Sequence, residues 1–264
     1  MARVPVHFIG FLANVDDSIT KLELGDGFVT ERRSSSDVMP FLRCIDSFWG
    51  TCGRDDIPSG GFCVVKPNLA AFEATGRGGA AIRGDICEQT HMFVRGKLRL
   101  LRLFKEGNVV LPYSFVYQTS QGEEDPFSPV REHPIVDREQ FTLTPTGIPE
   151  AQSFIDSVSL PLREPSVQLA FESFDLSYEI HDASLAFPSL MIAAEILLHP
   201  GNRDELKYRI CRKASVLLGQ DPSRGETVFG EIKSLYDRRS ALVHSGDRSS
   251  VTRQDVVKLR QYVR

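Results

Sequence analysis

Apolar and polar residues follow two kinds of pattern in the first half of the chain, one typical of strands and one of helices. Residues 4–12 are rich in β-forming side chains and predict a strand. Residues 21–24 and 28–32 flank a Gly-Asp-Gly turn, which indicates a hairpin. Apolar residues between positions 38 and 48 recur at helical spacing, after a serine and an aspartate that suit a helix start.

The pattern is less decisive farther along this half. Residues 62–65 and 109–117 predict strands, the second with Pro112 at an edge or a bulge. The Arg-Gly-Gly at 77–79 indicates a loop or bulge without the order of a phosphate loop. Residues 85–106 fit a helix and a strand about equally. Residues 119–138 combine proline, glycine and acidic side chains, so we expect an exposed loop there.

The pattern changes after residues 161–166, which are typical of a linker. From there on the apolar spacing predicts five helices joined by short connections. We therefore expect two domains, a mixed α/β sensing or regulatory domain at 1–162 and a helical bundle at 163–264.

Composition excludes several classes of protein. The 264 residues carry a net charge of −4, and 41% are hydrophobic, as in globular proteins. We find no apolar run long enough for a membrane helix and no signal-peptide pattern, so we expect a cytoplasmic protein without membrane contact. The five cysteines form no C-x-x-C pair, and we expect neither a metal nor a cofactor.

Charge is distributed unevenly between the predicted helices. Residues 165–202 contain five acids and no lysine or arginine, whereas residues 203–264 contain 14 lysines and arginines against 8 acids. This basic surplus is either the solvated face of surface helices or a surface that contacts RNA phosphates. The candidate RNA-binding residues are Arg209, Arg212, Lys213 and Arg238.

Arg239 and His244 form the candidate catalytic pair. Arg239 shares a helix face with Val228, Ile232 and Leu235, so its guanidinium interrupts an apolar stripe and needs a partner or a cleft. His244 lies at the predicted last turn. The two are about 140° apart on an ideal helix. Fraying of that turn, or a two-fold partner, would bring them together for acid–base attack by a ribose 2′-OH.

Three segments of the second half resemble one protein family. They are Leu235-Tyr236-Asp237-Arg238-Arg239-Ser240-Ala241-Leu242-Val243-His244-Ser245-Gly246, with the spacing R-x4-H, and the upstream segments 189–198 and 209–219. Their order and spacing resemble those of HEPN domains, specifically the ApeA-like branch. The resemblance covers roughly residues 165–264.

The resemblance implies a fold class and a function. With the mixed pattern of the first half, the expected fold class is an α+β N-terminal domain followed by an all-α HEPN-type helical bundle, and the resemblance implies that this bundle forms a homodimer. The expected function is that of a metal-independent endoribonuclease of bacterial defence, either anti-phage or toxin–antitoxin. Its N-terminal domain would bind a phage-derived or antitoxin protein. By position, Arg239 would polarise the scissile phosphate of RNA and His244 would be the general base or acid.

Two further residues receive supporting roles by the same resemblance. Ser240 stands where the family often has a more strongly polar residue. Glu195 would be a buried polar residue that pairs with Arg239, or else a purely structural salt bridge. Because Ser240 departs from the family pattern, a non-catalytic module for dimerisation or for RNA or nucleotide binding stays open as the alternative.

Overall fold

The structure is a computed structural model that describes residues 3–49, 61–73, 77–120, 122–132, 139–198 and 205–264. The chain divides into two compact units, Met1–Ser159 and Leu160–Arg264, called here the N-terminal and C-terminal units. This division lies three residues before the predicted boundary at 162/163. No helix within the described ranges is long and apolar enough to cross a membrane.

One antiparallel sheet organises the N-terminal unit. Its strands lie in the order β2-β3-β4-β1-β5-β6, and neighbouring strands run antiparallel. The bounds are β1 (Arg3–Ala13), β2 (Glu23–Gly25), β3 (Phe28–Arg32), β4 (Phe62–Glu73), β5 (Val110–Ser120) and β6 (Glu123–Arg131). The predicted strand and hairpin of the first 32 residues are confirmed.

Helices cover both faces of this sheet. They are α1 (Ser35–Trp49), α2 (Arg77–Phe104) and α3 (Gly147–Ser157). Side chains of β1 alternate between two apolar clusters. Ile9 and Phe11 join the cluster that contains Phe41 of α1, whereas Phe8 and Leu12 join the cluster supplied by α2 and α3.

Three local predictions in this unit are settled by the sheet. Residues 85–106, left open between helix and strand, lie mostly in α2, and the predicted loop or bulge at 77–79 is wrong because α2 begins there. The predicted loop at 119–138 is wrong over β6. Its prolines are tolerated because β6 is an edge strand, where outward N–H groups need no partner. The remainder of that prediction, 133–138, lies outside the described residues.

The described residues of the C-terminal unit contain helices and one short 3-10 turn. The helices are α4 (Pro165–Glu179), α5 (Ala183–Leu198), α6 (Leu206–Leu218), α7 (Pro222–Ser245) and α8 (Arg253–Val263). The closest packing joins α5 with α4 and α8, and α6 with α7.

The predicted fold class, an α+β domain followed by an all-α HEPN-type bundle, is wrong. The chain as a whole is a mixed α/β protein, with a six-stranded antiparallel sheet and eight helices among the described residues, and helices occur in both units. The helices beyond residue 160 pack mainly as two groups. The helical period predicts which residues of a helix are buried, but not which helices bury them together.

Candidate functional site

Helix α7 positions the candidate residues, and its two ends are well specified by sequence. At its start, the Asp221 side chain accepts a hydrogen bond from the Arg224 backbone N–H at 2.9 Å, and Pro222 occupies the first turn. At its end, Gly246 has a φ of +67° and donates its N–H to the Leu242 carbonyl at 3.1 Å. The helix is therefore continuous through His244.

The apolar stripe predicted on α7 is present, and Arg239 follows it. Val228, Ile232 and Leu235 are buried. The Arg239 side chain is 33% exposed, and its Nη2 lies 3.5 Å from Glu195 Oε1 on α5. The predicted pairing of Glu195 with Arg239 is therefore present. It is a long contact, weaker than a bidentate arginine–carboxylate pair.

Tyr236 completes this cluster and was not assigned a role from the sequence. Its hydroxyl donates a hydrogen bond of 2.8 Å to the same Glu195 Oε1 that faces Arg239. Burial and the adjacent Glu195 carboxylate raise the pKa of Tyr236 well above its ordinary value, because both disfavour a phenolate. A signal was available in the sequence, since residues three apart on a helix are neighbours and Tyr236 precedes Arg239 by three.

His244 is not brought to this cluster within one chain. It lies in the last turn of α7, as predicted, and its side chain is exposed. The last turn is not frayed, because the Gly246 cap closes it. On a regular helix Arg239 and His244 are about 140° apart, so they point to different sides. Fraying of the last turn would have brought the two side chains together, but this helix is intact. Only a second chain would therefore place an arginine and a histidine side by side.

The supporting and RNA-binding candidates are dispersed. Ser240 is exposed on α7. Arg238 is held to α8, because its Nη1 donates to Asp255 Oδ2 at 2.9 Å. Asp255 is also the acid of a capping box with Thr252 at the start of that helix. Arg238 therefore has a structural partner on α8, while its side chain remains 41% exposed.

The other three basic candidates lie on α6. Arg212 and Lys213 are exposed and Arg209 is half-buried. Their helix packs on α7, which places these cations in the same group of helices as Arg239.

The N-terminal unit contains a polar cluster with the elements of a nucleophile and a base. His91 Nδ1 contacts Ser114 Oγ, and His91 Nε2 lies 3.4 Å from Glu132 Oε1. Ser114 is fully buried and His91 is 2% exposed. A substrate cannot reach a buried hydroxyl in the middle of β5, so this cluster joins α2 to the sheet and is not a catalytic site.

Metal binding has no support among the residues that the structure describes, which contain no group of three or more His, Cys, Asp or Glu side chains suited to an ion. The Arg239 cluster offers a guanidinium, which stabilises a phosphate charge, and His244 elsewhere on α7 offers an imidazole, which transfers protons. Comparison of the chain with protein-family models, curated proteins and solved structures found no match.

Proposed function

We propose that the chain is a metal-independent endoribonuclease of bacterial defence, with Arg239 and His244 as its catalytic pair. The observation that carries this proposal is the position of Arg239. It continues an apolar helix face, is one-third exposed, and forms a long ion pair of 3.5 Å with Glu195. A guanidinium in this state has N–H donors left for a phosphate.

The proposed reaction is transfer of an RNA phosphodiester to its own ribose. The 2′-oxygen attacks phosphorus while the imidazole of His244 accepts its proton, and the P–O5′ bond breaks as the leaving 5′-oxygen takes up a proton from water. Arg239 donates hydrogen bonds to the non-bridging oxygens, whose charge increases in the transition state. The products are a 2′,3′-cyclic phosphate and a 5′-hydroxyl, and no metal enters the balance.

The pair is proposed to act across a homodimer. Because Arg239 and His244 point to different sides of an unfrayed α7, the composite site takes Arg239 from one chain and His244 from its partner. We assign the recognition of a phage-derived or antitoxin protein to the N-terminal unit, and we place the enzyme in the cytoplasm with its RNA substrate.

A non-catalytic module for dimerisation or for RNA or nucleotide binding is the second candidate. It is favoured by the large apolar side chains that the C-terminal unit exposes, including Leu169, Leu185, Val216 and Leu217, which are 51%, 56%, 73% and 70% exposed. On α6, Val216, Leu217 and Leu218 are consecutive exposed apolar residues, and a contiguous apolar patch is typical of an interaction site. Under this alternative, the contact between Arg239 and Glu195 is purely structural.

Cleavage of RNA in EDTA separates the two candidates. We expect the wild-type protein to cut single-stranded RNA with EDTA present, and Arg239→Ala and His244→Ala to lose cleavage while keeping the wild-type circular dichroism spectrum. Failure of the wild type to cut RNA, alone or with extracts of phage-infected cells, would favour the interaction module.

Mixing the two inactive variants tests the composite site. A heterodimer of Arg239→Ala with His244→Ala retains one intact pair, formed by the arginine of one chain and the histidine of the other. After subunit exchange we expect cleavage to recover to about a quarter of the wild-type rate, since half of the dimers are mixed and each has one working site. If each chain carried a complete site, mixing would restore nothing.

A further inference from the structure

A cleft between α6 and α7 is separate from the Arg239 cluster. It has a volume of about 520 Å³ and is lined by Glu205, Leu206, Lys207, Tyr208, Cys211, Phe229 and Lys233. We call it the α6–α7 cleft. Its size is within the range of small-molecule sites, and it belongs entirely to the C-terminal unit.

The walls of the α6–α7 cleft include an aromatic pair. The rings of Tyr208 and Phe229 meet edge to face, with centroids 5.7 Å apart. Phe229 is half-buried, whereas Tyr208 is 50% exposed. An aromatic ring that is supported on one side and open on the other is a stacking platform for a flat ligand.

The charge of the cleft is suited to an anion beside that flat group. Lys207 is paired with Asp237 of α7. Lys233 is exposed, and no ion pair ties it within the part of the chain that the structure describes. Both lysines act on the Cys211 thiol, where they oppose the rise in pKa that burial causes. Because Asp237 neutralises Lys207, Lys233 is the lysine of this lining that is available to an anion.

The cleft also lies in line with the proposed catalytic residue. On an ideal helix Ser240 and His244 fall within about 20° of Lys233, so the three share one side of α7. The distance along the axis from Lys233 to His244 is about 16 Å, at 1.5 Å per residue. A short run of unpaired nucleotides spans that length, and the exposed side of α7 leads from the cleft to His244.

We propose that the α6–α7 cleft binds one unpaired base of single-stranded RNA, stacked on Tyr208 with its flanking phosphate on Lys233. This inference rests on the proposed function, because it names the class of RNA that the nuclease selects. A base in a duplex is paired and stacked on its neighbours, so it is not free to enter the cleft. The cleft therefore makes the enzyme specific for single strands and sets the distance from the held base to the cut.

The test measures RNA binding and cleavage separately, in the full-length chain. Binding is measured in the His244→Ala background by fluorescence anisotropy with a labelled unstructured 12-mer RNA, and with the same RNA annealed to its complement. The variants are Tyr208→Ala, Tyr208→Phe and Lys233→Ala. The controls outside the cleft are Met92→Ala, for an apolar residue of α2 that is 53% exposed, and Lys21→Ala, for an exposed lysine.

We expect Tyr208→Ala to weaken binding of the single strand about tenfold, the effect of losing one stacked base. Tyr208→Phe keeps the ring and should stay within about twofold of its parent. Lys233→Ala should weaken binding and reduce its salt dependence by about one phosphate contact. None of these variants should change binding of the duplex, and the two controls should bind both RNAs as their parent does.

Three results would overturn the proposal. If Tyr208→Ala and Lys233→Ala bind the single strand as tightly as the controls while the otherwise wild-type protein still cuts RNA, the cleft is not a base site and the nuclease proposal stands. If the wild-type protein neither binds nor cuts RNA, both proposals fail. If Tyr208→Ala changes the sedimentation coefficient, the cleft is a protein interface and the base site is excluded.

Discussion

Arg239 and Arg260 are two arginines of the C-terminal unit that interrupt apolar helix faces, yet their surroundings differ sharply. Arg260 on α8 is fully buried. Its Nε donates to Ser177 Oγ at 2.9 Å, its Nη2 donates to the Ser177 carbonyl at 2.5 Å, and its guanidinium carbon lies 3.5 Å from the centre of the Tyr178 ring. Arg239 is one-third exposed and contacts Glu195 at 3.5 Å.

This difference distinguishes an arginine that stabilises the fold from one that is free to bind a ligand. The Ser177 carbonyl is among the last four of α4, which lack partners within that helix and lie at the negative end of its dipole. Arg260 satisfies it and stacks on the adjacent ring, so its donors serve the fold. The Arg239 side chain is one-third exposed to solvent, and its ion pair with Glu195 is long. Its N–H donors are therefore available to a ligand.

The largest effect is expected when the buried arginine is removed. Arg260→Met keeps the approximate volume but leaves the Ser177 carbonyl without its charged donor. We expect the free energy of unfolding to fall by about 3 kcal/mol, as for other buried bonds to charged groups. Urea denaturation followed by circular dichroism measures it. An equal loss for Arg239→Met, for which we expect about 1 kcal/mol or less, would erase the contrast between the two sites.

Removal of the partly exposed Arg239 is expected to reduce catalysis far more than stability. Arg239→Ala should reduce kcat/KM for RNA cleavage by about 100-fold or more, the usual cost of losing a charge-stabilising donor. The measurement is cleavage of a fluorogenic RNA in EDTA. Arg224→Ala removes an exposed arginine near the other end of α7 and serves as the matched control, with near wild-type rates. Comparable losses in both variants would mean that only total charge matters.

The partners of Arg239 are expected to modulate it more weakly. Glu195→Gln keeps the side-chain shape but removes the carboxylate that competes with RNA phosphate for the guanidinium. We expect KM to fall about fivefold, because release of one weak ion pair is worth about 1 kcal/mol, and kcat to fall as Arg239 loses its orientation. Steady-state kinetics resolves the two constants. A change in stability alone, with KM and kcat unaltered, would assign Glu195 a purely structural role.

The smallest effect concerns Tyr236 and appears only in alkali. Its pKa is raised in the folded chain, so the folded state retains a proton that the unfolded state loses near pH 10. Stability from this group is therefore complete below about pH 10 and is lost as the pH rises toward the folded pKa. We expect the free energy of unfolding to fall less steeply between pH 9 and 11 for Tyr236→Phe than for the wild type. Parallel slopes in urea titrations would contradict the assigned environment.

The local elements of the fold were largely accessible from sequence. The hairpin before residue 32 and the capped helix that carries Arg239 follow from turn residues, caps and apolar periods, which act over a few neighbours. Strand β6 was missed because Pro126 and Pro129 usually exclude a strand, and only its place at the sheet edge permits them. The single bundle was wrong because helix periodicity carries no information about which helices share a core.

The candidate site was accessible only in part. The apolar stripe that Arg239 interrupts and the contact with Glu195 were both predicted, and both are present. Tyr236 was missed, because its hydroxyl bonds to Glu195 of α5, and the sequence does not show that the two helices are adjacent. The α6–α7 cleft was missed for a similar reason. Tyr208 and Phe229 are 21 positions apart, and no pattern within one helix relates them.

The sequence by itself determined where α7 starts and stops, and that Arg239 and His244 lie on different sides of it, since a helix of 3.6 residues per turn sets those angles. It also determined the charge difference between residues 165–202 and 203–264. The tertiary structure decided which arginine side chains have a close partner and which are left partly exposed. Arg238 is tied to Asp255, Arg260 is enclosed at the end of α4, and Arg239 is left partly open. The physical reason is that hydrogen bonds and burial depend on distances between helices, which the order of residues along one helix does not contain.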